Sequence, residues 1–306
     1  LSYDNQRIMG GIDWLQQGQS HDAVLVTNKK NGYQLDFGAA LNNNNEALYE
    51  SAYVTNYKNM QFIWFNQKLS KLSLSFLALN NGYQYENLTE NKFQVAYLQT
   101  IGTYGKWDAS KFYGDFGLYA QTGEAAITND KVDVGAYYAG FNLGYKFTNP
   151  FKAELGFEYL SGKDQNDTDT KVKSFTPLFG TNHGFNGVMD YFYVGNHKNS
   201  VGLQDFYTKF IYDKNKWQVT LSPHLFYSAA SVYNMTTLEE QDSYLGTEID
   251  LTATYKLDKN FVITGGVSKM FASDTMEVLK GGNNSNGNNW VWVMVSFNPQ
   301  LFTYKK

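Results

Sequence analysis

The chain has 306 residues, 42% of them hydrophobic and 17% aromatic, with 24 Tyr, 22 Phe, no cysteine and a formal net charge of −4. The absence of cysteine excludes disulfides, thiolate metal sites and cysteine nucleophiles, and the acidic balance argues against a nucleic-acid partner bound through its phosphates. No apolar run reaches the ~18 residues of a transmembrane helix, so the chain either is soluble or crosses a membrane with strands apolar on one face only.

The sequence opens LSYDNQRIMGGIDWLQQGQSHDAV, inside a patterned stretch, without a basic leader or an apolar signal core. Arg7 is the single arginine among 25 basic residues. Residues 1–4 predict the tail of a strand, too short to cross a bilayer by itself, followed by an outer loop. Alternation then predicts strands over 20–28, 32–41, 58–67, 71–82, 91–104, 107–121, 131–147, 150–161, 200–213, 216–228, 245–257, 259–271 and 288–302. With the opening tail that makes about fourteen, an even number.

In NGYQLDFGA, Tyr33, Leu35 and Phe37 oppose Gln34 and Asp36. In FKAELGFEYLSG, Phe151, Ala153, Leu155, Phe157 and Tyr159 oppose Lys152, Glu154, Gly156 and Glu158. KWQVTLSPHLFY and LGTEIDLTATYKL repeat the pattern, and Pro223 in the first of these predicts a bulge or kink because it lacks a ladder donor. Helical period is absent over any comparable length. A soluble β domain would need a second layer over the aromatic face, and no helices are available to supply one.

The connections alternate in length. NKKNG, QKLSK, YGK, FTNP, DKNK and LDKN are tight, whereas 42–57, 83–90, 122–130, 162–199, 229–244 and 272–287 are long. Tight turns at one end and long loops at the other predict an all-β fold, a transmembrane antiparallel up-and-down β-barrel forming one domain over 1–306. Aromatics at strand ends (Tyr145, Phe147, Phe151, Trp217, Tyr255, Phe261) fit interfacial girdles. The final strand, NWVWVMVSFNPQLF, is expected to close the barrel.

Two segments resemble a known family. Tyr3-Asp4-Asn5-Gln6-Arg7, Trp14 and Ser20-His21-Asp22-Ala23 resemble the signature of the alginate-export family of outer-membrane barrels, in its Bacteroidetes-type form. Phe179-Gly180-Thr181, His183-Gly184-Phe185 and Met189-Asp190, within SFTPLFGTNHGFNGVMDYF (174–192), resemble its long-loop motif. VGLQDFY (201–207), LGTEIDL (245–251) and the terminal W-x-W strand are similar as well. The resemblance implies a barrel of about eighteen strands, with further strands ahead of this segment. It also implies the outer membrane of a Gram-negative bacterium, with outer-membrane lipid, lipopolysaccharide and other outer-membrane proteins as partners. The implied function is a porin-like passive conduit for an anionic polysaccharide or small solutes. A barrel plugged by its own loops, serving as a structural subunit of a larger outer-membrane assembly, is the alternative.

A channel for an acidic polymer needs lumen cations, with acids that keep binding weak enough for release. Alternation places Asp36, Lys92, Lys111, Asp115, Lys152, Glu154, Glu158, Asp205, Lys209, His224, Glu248 and Asp250 on the inner face, a set with more acids than bases. Arg7 either grips carboxylates in the lumen or pairs with Asp4 or Asp22 to pin the first loop. The 162–199 connection is rich in Phe, and a loop of that length with that content predicts a plug or constriction around Phe179, His183, Phe185 and Asp190; the alternative is a cap on neighbouring loops. DQNDTD (164–169) lacks the glycine and distal glutamate of a calcium loop, and the four histidines lack metal spacing. The Glu248/Asp250 pair could serve acid–base chemistry, but polar barrel walls carry such pairs routinely. No nucleophile elbow, P-loop or dinucleotide fingerprint is present, so the expectation is no enzyme and no cofactor.

Overall fold

Alternating segments become strands that pair in sequence order. In the computed structural model, residues 1–12, 14, 17–43, 53, 56–181 and 183–302 are described. The strands are β1 (Ala23–Lys30), β2 (Tyr33–Leu41), β3 (Asn59–Leu69), β4 (Leu72–Asn87), β5 (Lys92–Ala109), β6 (Phe112–Ala126) and β7 (Lys131–Lys146). They continue with β8 (Phe151–Leu160), β9 (Leu203–Lys214), β10 (Trp217–Tyr227), β11 (Tyr244–Lys256), β12 (Phe261–Ala272) and β13 (Asn288–Phe297). A short helix, α1 (Asp274–Lys280), capped by the Ser273 hydroxyl, sits between β12 and β13. All neighbours are antiparallel in one 13-stranded up-and-down sheet.

The faces follow the period of two. Phe76, Ile101, Leu118, Leu155, Phe210 and Val293 point outward and are exposed, as a lipid-facing band requires. Asp36, Gln121, Glu158, Asp205, His224 and Glu248 point inward and are buried. Inward glycines let aromatic rings lie flat on the wall. A Cβ at Gly156 would stand 2.1 Å from the Tyr207 ring across the strand pair.

Several expectations need correction. Residues 1–4 are not a strand. Asp4, Gln6 and Ile12 have φ of 55°, 65° and 55°, which an extended strand does not accommodate, and the segment runs along the inner face of the wall. Among the described residues the strands number thirteen, so β1 and β13 run in the same direction. They are not hydrogen-bonded to each other, and β13 does not close the sheet. YGK is not a turn: β5 continues to Ala109, and the chain reverses at Ser110-Lys111, where Ser110 takes φ 67°. The connections at 83–90 and 122–130 are not long either, because β4 and β6 extend to Asn87 and Ala126 and leave four-residue turns. Pro223 produces no bulge. Register between β9 and β10 is the same on both sides of it, and the ladder merely lacks its pairs between Leu221↔Phe210 and His224↔Tyr207.

Two segments line the interior. The Tyr3 hydroxyl donates to Asp36 on β2 (2.9 Å). Asp4 accepts from Trp64 Nε1 on β3 (3.1 Å) and from the Ser75 hydroxyl on β4 (2.6 Å). The connection after β8 folds back toward the same face. Its Phe175, Phe179 and Phe192 are buried, Met9 bridges to Phe179 in parallel, and the amide of Gln121 on β6 exchanges two bonds with the Thr176 backbone. The apolar core, including Met9, Tyr57, Phe62, Tyr138 and Phe175, lies between the wall and these segments.

Candidate functional site in the barrel interior

Arg7 is 2% exposed and occupies the point where both inner segments meet the wall. Its Nη2 donates to Glu158 Oε2 on β8 at 2.9 Å and to Asn186 Oδ1 in the folded-back loop at 2.8 Å. The guanidinium lies 4.6 Å from the Phe185 ring centroid and 5.5 Å from that of Tyr138. Glu158 also accepts from the Tyr138 hydroxyl (2.6 Å) and from Asn186 Nδ2 (2.8 Å). Every charged atom here is withdrawn from water, so the pair depends on these bonds to offset desolvation. The partners of Arg7 are therefore neither Asp4 nor Asp22. Asn186, which the sequence did not single out, also donates to Asp205 Oδ2 (3.2 Å). It sits at φ 60°, a left-handed conformation in which Asn is enriched, and the Asn186-Gly187 turn was its only sequence signal.

A second tie joins the loop to β11. Glu248 Oε1 accepts the backbone N–H groups of Val188 (2.7 Å) and Met189 (2.9 Å). Gly187 makes this approach possible. It has φ 81°, and a Cβ there would stand 2.5 Å from that same oxygen. Two residues along the same strand face, Asp250 is 3% exposed, and neither of its carboxylate oxygens has a hydrogen-bond partner. On β9 and β10, His224 Nδ1 bonds to Asp205 at 2.9 Å.

Below the loop lies a cavity of about 480 Å³, open on one side, with Asp115, Glu154, Glu158, Lys209, His224 and Asp250 in its lining. The wall thus brings together Arg7, Asp115, Glu154, Glu158, Asp205, Lys209, His224, Glu248 and Asp250. Asp36 lies apart, under Tyr3. The other predicted lumen cations are elsewhere. Lys92 is at the loop end of β5, paired with Glu90, and Lys111 is exposed in the β5–β6 turn. Lys111 lies beyond the end of β5, and Lys92 is its first, exposed residue, where alternation no longer implies an inner face. Lys152 faces inward but at the tight-turn end of β8, 3.7 Å from Asp213.

In the loop itself, Phe179 packs edge-on against His21 and Tyr57. His183 stacks on Trp14 at 3.9 Å and bonds to Asp190 at 3.2 Å, while Trp290 and Trp292 of β13 approach edge-on. Of the acids of DQNDTD, Asp167 (2.7 Å) and Asp169 (3.3 Å) are bridged by Lys173, and Asp164 accepts the backbone N–H of Ser231 in the β10–β11 connection (2.7 Å). His197 is buried, and its Nε2 donates to the Phe192 carbonyl (2.9 Å). Burial first, then the charges of Arg7 and Lys280, lower its pKa to about 3, against a smaller opposing effect of that carbonyl. Nearby, a cavity of about 690 Å³ at the loop end is lined by Lys163, Lys171, Lys173, Lys198 and Lys280 among others.

No protein-family model and no curated protein sequence matches the chain. Among solved structures it is similar to one described as "Copper transporter OprC", at 11% identity and a TM-score of 0.38. That match covers 80% of this chain and 39% of the other, so this chain spans about two-fifths of that structure's length.

Proposed function

We propose that the chain forms the wall and internal plug of an outer-membrane channel in a Gram-negative bacterium, of the kind the alginate-export resemblance implies. The observation that carries this reading is the Arg7–Glu158–Asn186 junction, where the opening segment and the folded-back loop are tied to one polar inner wall. A wall with charged residues inside and an apolar band outside is suited to lipid on one side and water on the other. Two segments held inside by polar bonds, rather than built into the ladder, can narrow such a lumen and leave it. The loop-end cavity, where Lys163, Lys171, Lys198 and Lys280 stand beside a Lys173 already paired with Asp167 and Asp169, supports an anionic polysaccharide as the first solute to test, since clustered ammonium groups can replace the counterions of a polyacid.

Single-channel recording of the refolded chain in planar bilayers tests this reading. Deleting 175–190 should raise conductance, and an acidic oligosaccharide should block the open current. No conductance in either form would refute it. The filled interior also fits the alternative of a plugged structural subunit, for which a silent barrel that co-purifies with outer-membrane partners is the expected result.

A further inference from the structure

The cavity beneath the loop carries a charge imbalance that its own residues do not resolve. Glu158 is matched by Arg7, and His224 is occupied with Asp205. That leaves Asp115, Glu154 and Asp250 around the cavity, with Lys209 as the lysine in its lining. His183 also lines it but is turned to Asp190 and stacked on Trp14. Glu154 is partly served by the Tyr113 hydroxyl (2.9 Å). Asp250 is 97% withdrawn from solvent and lines the cavity, yet neither of its oxygens makes a hydrogen bond of good geometry; Glu248 and the Ser268 hydroxyl stand beside it, and Glu248 Oε2 and Ser268 Oγ lack a partner as well. A buried carboxylate without a partner is unfavourable unless a proton or a cation from outside completes it.

We propose that this cavity is a binding site for a linear polyamine, with Asp250 as its anchor and Glu154 and Asp115 as further carboxylate contacts. Three features favour an organic ammonium over a chelated metal. Among the described residues, no three His, Asp or Glu side chains converge closely enough to hold a metal ion. The carboxylates, Asp115 beside Lys106 and Asn142, Glu154 beside Tyr113 and Asn142, and Asp250, are instead spread over β6, β8 and β11, strands about 4.8 Å apart from neighbour to neighbour, a spacing that suits several charges on one chain. The wall also already seats cations on aromatic faces: Arg7 lies over Phe185, and Lys209 lies 5.1 Å from the Tyr207 centroid. The inference rests on the channel reading only in requiring that solute can reach the interior.

Calorimetric titration of the refolded full chain in detergent micelles with spermidine is the test. Saturable binding is expected, weakened about tenfold by Asp250→Asn, the loss of roughly one strong contact, and tightened by Lys209→Met, which removes the competing cation. Triethylene glycol, of similar length and uncharged, should not bind. The proposal is overturned if spermidine does not saturate, if both variants bind like wild type, or if Mg²⁺ displaces spermidine at lower concentration than spermidine itself needs. The two substitutions act in opposite directions, so a general folding defect cannot produce the expected pair of results. Binding to a barrel that is silent in bilayers sinks the channel reading alone. Conductance without spermidine binding sinks this proposal alone.

Discussion

Replacing Arg7 by Met should release the interior from the wall. The side chain is 1% exposed and its partner Glu158 5%, so water does not screen the pair. Removing one partner of such a pair costs about 3–5 kcal/mol, mostly because the other charge is left buried and uncompensated. The Tyr138 and Asn186 donors remain on Glu158 and place the expected loss toward the lower end of that range. Asn186 also loses the donor to its Oδ1, so the cost should appear where residues 183–190 meet the wall. Arg7→Lys keeps the charge but forfeits the planar contact with Phe185, for about 1–2 kcal/mol. Arg7→Met/Glu158→Gln should recover much of the loss, since neither charge is then stranded. Urea unfolding in lipid vesicles gives the global term, and hydrogen exchange of the 1–12 and 174–190 peptides gives the local one. A cost below about 1 kcal/mol for Arg7→Met, with the double variant equal to the sum of its parts, would refute the reasoning.

Other consequences follow from the same geometry. Glu248→Gln should loosen residues 187–190 by about 1.5–3 kcal/mol, because two backbone donors lose a charged acceptor; exchange at Val188 and Met189 reads this, and unchanged protection would rule it out. His197 is held neutral in the fold, with a pKa of about 3, while the unfolded chain takes up that proton near 6.5. Its contribution is therefore complete well above that pH and is lost as pH falls toward 3, with about 2 kcal/mol gone by pH 5. Exchange of residues 191–201 should rise over that window, and His197→Gln should flatten the rise. Leu155→Arg, in the middle of the outward face of β8, should cost about 2–4 kcal/mol in vesicles, and a negligible cost would deny that this face meets lipid.

Much of the wall was legible from local pattern alone. A strand's side chains alternate by backbone geometry, so FKAELGFEYL assigned Glu154 and Glu158 inward and Leu155 outward without knowledge of any neighbour. The same rule placed Asp205, His224, Glu248 and Asp250. It failed at ends in both directions: Lys111, expected inside a strand, lies in a turn, and the β4 ladder runs on to Asn87, past its predicted stop at 82.

What the sequence by itself determined is the sheet, its two faces and the inward placement of its acids, because those depend on a period of two carried by each strand. Only the tertiary structure decided that residues 1–12 run along the interior instead of forming strand and outer loop. It also decided that Arg7 meets Glu158 at a separation of 151 residues, and that Asn186 joins them. Those contacts depend on left-handed backbone at Asp4, Gln6 and Asn186 and on one inner segment reaching both β2, through Tyr3 and Asp36, and β8, through Arg7 and Glu158. No periodicity encodes either, since a turn of backbone and a long-range pairing are fixed by what else is packed there.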